Sequence, residues 1–394
     1  MNKKLGYYSI GLQNFASKID ACILGTKVID KLNVNVNPFN IVKWNFNDDV
    51  FDNYQWSVEP EKSLDELYDE RAKNLREQYD YIIISYSGGA DSHNMLMSFL
   101  RQGLFVDEIV VTHMNKAMKD YAIIDPNNLS AEYAYASEYA LQTLPRLEEI
   151  RIQSPQTKIR VFDVSDSVFN AFSKRMDESW VFHVREELNP IDASRYNYLQ
   201  YSEFKTQLDF NKKIAILLGV DKPGIIIDES NNKIILRFAD RLANITPIGE
   251  YAKDYTNTTI EYFYWSPDAC DLLCKQAHII AKWLKQNPRF QKYFIKPSAG
   301  GRVISDRILR PLLYTTWNST WFQAEKAIFD WYSNFDSWFI QGHFNSLEYL
   351  LWRKGLNYVT KNCKYFITPG KTPYGKTPDG LARFYKEYEF TNLK

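Results

Sequence analysis

The sequence predicts an α/β fold built on a parallel sheet, and three observations predict it. An apolar, β-branched run from Tyr81 to Ile84 leads into the turn Ser87-Gly-Gly-Ala-Asp-Ser92. Met95, Leu96, Phe99 and Leu100 then recur at helical spacing, and Gly103 ends that helix. Two further apolar runs, Val106–His113 and Thr157–Asp163, each follow a helical stretch. Strands joined through one short helix run parallel with a right-handed crossover. Such sheets bind ligands beyond the carboxyl ends of their strands, which directs attention to Ser87–Ser92, Thr112, His113, Asn115 and Asp163.

A chain of 394 residues is too long for one simple core, so two or three domains are expected. The boundaries fall into an N-terminal extension (1–77), a core that carries the Ser87–Ser92 turn (78–240) and a C-terminal substrate, lid or interaction region (241–394). Its 48 basic and 48 acidic residues give no overall charge that favours nucleic acid or membrane. Cys22, Cys270, Cys274 and Cys363 are too few for a disulfide framework. The first residues lack an apolar signal core, and no apolar run approaches the ~20 residues that span a bilayer. A cytoplasmic protein without a membrane partner is expected.

In the N-terminal extension, Leu32-Asn-Val-Asn-Val-Asn-Pro38 alternates apolar and polar, which predicts a strand and a turn at Pro38. Ser63-Leu-Asp-Glu66 has capping-box spacing, and Leu64, Leu67, Tyr68, Ala72 and Leu75 give the helix that follows an apolar face. After His113, residues 116–127 form a loop, and Ser130 caps a helix to about Arg151 that Pro145 strains. Asp163 caps the helix that begins near Ser165. Phe204–Leu218 is predicted helical, ending at Gly219. Gly224–Asp228 and Ile234–Phe238 flank a polar turn and form a hairpin.

From about residue 245 the sequence predicts a mainly helical, aromatic-rich region. Ser266-Pro267 starts a helix on which Cys270, Cys274 and His278 share a face. Positions eight apart lie about 12 Å apart along the axis, so the three cannot ligate one ion, and buried cysteines act as small hydrophobes. Lys296-Pro-Ser-Ala-Gly-Gly-Arg302 is a second glycine-containing turn. Trp317–Trp352 suggests packed helices. Residues 351–394 carry nine Lys/Arg against three Asp/Glu, with interleaved aromatics. That pattern suits single-stranded nucleic acid or a basic tail packed on the body.

Strand, glycine turn and helix place free N–H groups and a positive helix end around a phosphate. Glycine lets the backbone approach the anion, Ser87 and Ser92 add hydroxyl donors, and the Asp91 carboxylate suits a metal ion or cation beside it. No Gly-Lys-Ser/Thr follows, so this is not a Walker A loop. Ser87-Gly-Gly-Ala-Asp-Ser92 resembles the PP-loop, Ser-Gly-Gly-x-Asp-Ser, of the ATP pyrophosphatase (adenine nucleotide alpha-hydrolase) superfamily. The resemblance implies a HUP-like, Rossmann-like core with ATP and Mg²⁺ as cofactors. It implies nucleotide contacts from Ser85, Tyr86, Ser87, Gly88, Gly89, Ala90, Asp91 and Ser92, with Asp91 and Ser92 catalytic and Asp91 orienting the metal. By position it adds His113 and Asn115 at the second strand end, where His113 is either a site residue or a plain strand-end histidine. Lys222 joins as a phosphate contact or a solvated turn lysine.

The resemblance also implies a reaction. A substrate oxygen attacks the α-phosphorus, pyrophosphate leaves, and a nitrogen or sulfur nucleophile displaces AMP. The acceptor is a small molecule or nucleobase. Asn2 stands where a glutaminase half of the asparagine-synthetase kind has its cysteine, which argues against such a half. Two alternatives remain: a phosphoadenylylsulfate-reductase-like sulfur protein, whose cysteine motif is missing around Cys363, and a nucleotide-binding module without catalysis.

Overall fold

The computed structural model describes residues 5–33, 35–113, 115–118, 138–166, 178–183, 211–240, 257–295, 299–318, 320, 347–369 and 378–393. Its strands are β1 (Tyr7–Ile10), β2 (Gln13–Phe15), β3 (Lys43–Asn45), β4 (Tyr81–Ser85), β5 (Glu108–His113), β6 (Lys158–Asp163), β7 (Ile214–Leu218), β8 (Gly224–Asp228), β9 (Lys233–Ala239), β10 (Thr258–Tyr262), β11 (Ile367–Pro369), β12 (Pro378–Leu381) and β13 (Tyr385–Asn392). The helices of two turns or more are α1 (Lys18–Leu32), α2 (Leu64–Gln78), α3 (Ala90–Leu100), α4 (Leu144–Gln153), α5 (Cys270–Gln286), α6 (Ala299–Leu313) and α7 (Leu347–Asn362).

The centre is a five-stranded sheet in the order β10-β7-β4-β5-β6, and every neighbouring pair is parallel. This is an α/β fold. Ile82, Ile83 and Ile84 of β4 and Ile214–Leu217 of β7 are buried, because helices cover a parallel sheet on its faces. From β4 the chain steps outward through β5 to β6, then returns to place β7 on the other side of β4. The strand order therefore reverses between β4 and β7, the place where open α/β sheets bind ligands beyond the carboxyl ends of their strands.

Helix α2 brings the chain to β4, and its Ser63–Glu66 capping box forms as predicted. Arg71 on α2 fixes it to the far edge of the sheet. Its guanidinium donates to the carbonyls of Tyr262 (3.0 Å) and Phe263 (3.1 Å) and pairs with Glu261 (3.1 Å), all in the buried interior. A buried pair of this kind is costly to break because the remaining charge has no solvent.

Several predictions of secondary structure fail, among them the start of the loop expected at 116–127, since residues 116–118 belong to the helical turn Asn115–Met118. Ile214–Leu218 is a central strand, not the end of a helix. Five consecutive apolar residues buried on both faces carry neither period, so length alone could not arbitrate. Residues 204–210, which the same prediction covered, lie outside the described residues. Among the described residues 32, 33 and 35–37 the predicted strand is also not formed. Helix α1, capped by Ser17, runs through Leu32 and ends on Asn33 in the left-handed region at φ 50°, and Pro38 opens a short helical turn capped by Asn37.

The division at residue 240 does not follow the sheet, because β10 completes the parallel sheet from beyond it. Among its described residues the C-terminal region is mainly helical as predicted, through α5, α6 and α7, and it also contributes β10 to β13. The hairpin β8–β9 forms as predicted and gains β13 as a third antiparallel strand. Against it packs the N-terminal sheet β2-β1-β3, through an aromatic core of Phe46, Phe51, Trp56, Phe238, Trp265 and Tyr388. Here the basic, aromatic C-terminal stretch finds its partners. Lys386 pairs with Asp48, Tyr388 donates to Asp52, and Lys364 and Tyr365 engage Asp30.

Gly300, Gly301 and Arg302 lie in the first turn of α6, so the second glycine-containing turn is helix from Ala299 onward. Ser130 and most of the Trp317–Trp352 stretch lie outside the described residues. Among the described residues no helix is long and apolar enough to cross a membrane.

Candidate functional site

The turn after β4 sits at the point where the strand order reverses. Ser85 ends β4, Gly88 turns the chain at φ +73°, and Gly89 is the N-cap of α3 without a side-chain capping bond. The first N–H groups of an α-helix have no acceptor within the helix, so Ala90, Asp91 and Ser92 begin α3 at its positive end. The turn is closed by its own hydroxyls. Gly89 N–H donates to Ser87 Oγ (3.2 Å), Ser87 N–H donates to Ser92 Oγ (3.3 Å), and Ser92 Oγ donates to the Gly89 carbonyl (3.2 Å).

Both flanks leave the turn no room. A Cβ on Gly88 would lie 2.8 Å from Thr143 Cα, and a Cβ on Gly219 would lie 3.0 Å from the Ser92 backbone nitrogen. Thr143 belongs to a π-helical turn, Tyr139–Thr143, that leads into α4, and its hydroxyl donates to the Ser87 carbonyl at 2.8 Å. Pro145 follows directly on this π-turn, and the backbone is helical through Glu138, Thr143 and Leu144, so the expected distortion of a longer helix at Pro145 coincides with the π-turn. Gly219 follows β7 and closes the other flank.

Asp91 is the charged centre. Lys222 Nζ lies 2.8 Å from Asp91 Oδ1, 3.2 Å from Asp91 Oδ2 and 3.3 Å from Asp221 Oδ1. Lys222 is 8 % exposed, so it is not a solvated turn lysine, whereas Asp91 is 28 % and Asp221 is 22 % exposed. Tyr314, after α6, donates its phenol to Asp91 Oδ1, and Tyr264 donates to the Asp91 carbonyl at 2.9 Å.

The remaining expected residues occupy other surroundings. Tyr86 turns inward, where its phenol meets His93 Nδ1 at 2.9 Å in the interior. Burial pushes the His93 imidazole down to about 3, with the Arg146 charge adding to the effect. His113 ends β5 beside Asp163 of β6, with Nδ1 and Oδ2 3.6 Å apart, and its ring packs 4.5 Å from Tyr139. Burial lowers its pKa, and Asp163 opposes that. Asn115 N–H faces His113 Nδ1 at 3.4 Å. Asp163 accepts from Ser165 N–H at 2.9 Å, the bond expected of a cap, and residues 167–177, where the predicted helix continues, lie outside the described residues.

The arrangement therefore joins Lys222 to the turn and places Asp221, Tyr264, Tyr314 and Thr143 around it. The spacing of the sequence singled out none of the last three. Among the described residues no three His, Cys, Asp or Glu side chains gather to hold a metal. The donor set instead suits an Mg²⁺ that shares one or two carboxylates, Asp91 and Asp221, with phosphate oxygens and water. Both carboxylates face the Lys222 ammonium, so a cation bound there would share them with that charge.

The cysteines stay outside this site. Cys274 Sγ lies 3.3 Å from the carbonyls of Trp56 and Val58, and His278 Nε2 lies 3.2 Å from the Trp56 carbonyl. Cys270, Cys274 and Cys363 are buried, and burial pushes each thiol up to about 12. No protein-family model matches the chain, and a search of curated proteins finds no match.

Proposed function

We propose that the chain is a PP-loop enzyme that binds ATP at Ser87–Ser92 and cleaves it between the α and β phosphates, forming an adenylylated acceptor. The observation that carries this reading is the uncapped, glycine-built turn at the strand-order reversal, with the carboxylate of Asp91 and the ammonium of Lys222 meeting at its helix end. Phosphates suit a concave turn lined by N–H groups and serine hydroxyls. Lys222 offers a point charge to the leaving pyrophosphate. Bound Mg²⁺, held by Asp91 with Asp221, would spread the negative charge that develops as the anhydride breaks. An acceptor oxygen takes the α-phosphorus, pyrophosphate carries off the bond's electrons, and a nitrogen or sulfur nucleophile of a second molecule then displaces AMP. Positioning and electrostatics account for such a transfer without a protein nucleophile.

The sulfur-reductase alternative is less well supported, because Cys363 is fully buried and its thiol is held protonated. The test is release of AMP and pyrophosphate from ATP and Mg²⁺ in the presence of fractionated small-molecule extract. The wild type is expected to release both in at least one fraction, and Asp91→Asn to lose about 10²–10³-fold in rate. Absence of AMP across all fractions, or an Asp91→Asn variant as active as wild type, overturns the reading.

A further inference from the structure

We infer that Tyr314 completes the nucleotide site from the far side of the chain, as the residue that decides which oxygen of Asp91 faces a divalent cation carried by a nucleoside triphosphate. This rests on the reading above. The carboxylate of Asp91 is bonded unequally. Oδ1 accepts from the Tyr314 phenol and from Lys222 Nζ at 2.8 Å, while Oδ2 has Lys222 Nζ at the longer 3.2 Å. A carboxylate oxygen has two lone pairs, and two close donors occupy both on Oδ1. Oδ2 keeps capacity for a cation or its water.

Remove the phenol and this asymmetry goes. Lys222 alone can then sit evenly across both oxygens, and the carboxylate can turn about its terminal torsion, which is soft. Tyr314 is therefore a positioning residue. Its own position is fixed by contacts other than the one to the Asp91 carboxylate. It is 2 % exposed, Tyr68 donates to the preceding Leu313 carbonyl at 3.0 Å, and Thr316 lies 3.4 Å from Asn94 Oδ1 on α3. The ring also lies 5.9 Å below the Lys222 ammonium. The phenol stays a donor because burial, with the Asp91 charge, pushes its pKa upward.

The experiment is calorimetric titration of ATP into the full chain, once with Mg²⁺ and once with EDTA. Wild type is expected to bind more tightly with Mg²⁺. Tyr314→Phe is expected to keep the metal-free affinity within about twofold and to lose about tenfold of the Mg²⁺ increment, the scale of an outer-shell hydrogen bond to a metal ligand. In an Asp91→Asn background the same change is expected to add nothing. An unchanged increment in Tyr314→Phe, or equal weakening with and without Mg²⁺, overturns the inference while ATP binding by wild type leaves the parent reading standing. If wild type binds ATP under neither condition, both fall. A 3-fluorotyrosine at position 314 keeps the hydroxyl and the fold. Its ¹⁹F resonance is expected to shift with Mg²⁺ and ATP together and to stay fixed with ATP in EDTA; no selective shift overturns the inference as well.

Discussion

Replacing Gly88 by alanine probes the geometry on which the site depends. Gly88 has φ +73°, and its added Cβ would lie 2.8 Å from both Thr143 Cα and Thr143 Oγ1. A left-handed φ costs an L-residue about 1–2 kcal/mol. Contact with a backbone atom cannot be relieved by rotating a side chain, and overpacking of this kind costs about 1–3 kcal/mol. Gly88→Ala is therefore expected to lose about 2–5 kcal/mol of stability. Gly103 is the internal control. It has φ +70° with nothing within 4 Å of a built Cβ, so Gly103→Ala carries the first cost alone. Urea denaturation of the two variants separates the terms. ATP titration then reports whether the displaced turn still accepts a phosphate, which is expected for Gly103→Ala and not for Gly88→Ala. Equal destabilisation of both variants, or wild-type nucleotide affinity in Gly88→Ala, refutes the claim that Thr143 closes the turn.

Two further predictions concern the scaffold. The His93 imidazole is held near 3 against an ordinary 6.5, so between those values the unfolded chain binds the extra proton. Stability is then complete above about pH 6.5 and falls as pH drops toward about 3, by up to about 1.4 kcal/mol per pH unit. His93→Gln should flatten that part of the stability–pH curve, and an unchanged slope would count against a neutral buried imidazole. Phe238 is fully buried among Phe46, Phe51, Trp56 and Trp265. Phe238→Ala is expected to cost about 3–5 kcal/mol in urea denaturation; a loss below about 1 kcal/mol would mean that this core does not hold the two antiparallel sheets together.

What was legible in the sequence was local. β4 shows as Tyr81–Ile84 because its apolar run ends sharply at Ser87-Gly-Gly, and α2 shows because Ser63 and Glu66 stand three apart before an apolar face. The bond that Asp163 accepts was legible for the same reason, since Ser165 is its neighbour. β7 was not, because Ile214–Leu218 is apolar throughout and acquires its identity only from hydrogen bonds to β4 and β10. Asn33 misled because a left-handed helix end and a polar strand position look alike in one letter. At the site, Lys222 was legible as a cation in a suggestive place, but its partner lies 131 positions earlier. Tyr314 gave no signal, since it meets Asp91 across 223 positions and no local pattern marks it.

Asp240 has a consequence for how the protein folds. Its carboxylate is fully buried and takes Lys18 and the Tyr8 phenol at 2.8 Å on one oxygen and the Phe384 N–H at 3.0 Å on the other. Its partners thus come from two segments separated by more than 350 positions, and neither is near it in sequence. During synthesis β1, α1 and β9 emerge long before Phe384 does, and a buried carboxylate with one oxygen left unbonded is unfavourable. The antiparallel unit can close only after β13 arrives to pair with β9, so its docking belongs to the last stage of folding. Closing such long loops is slow, and until then the nascent chain exposes β9 as an unpaired edge.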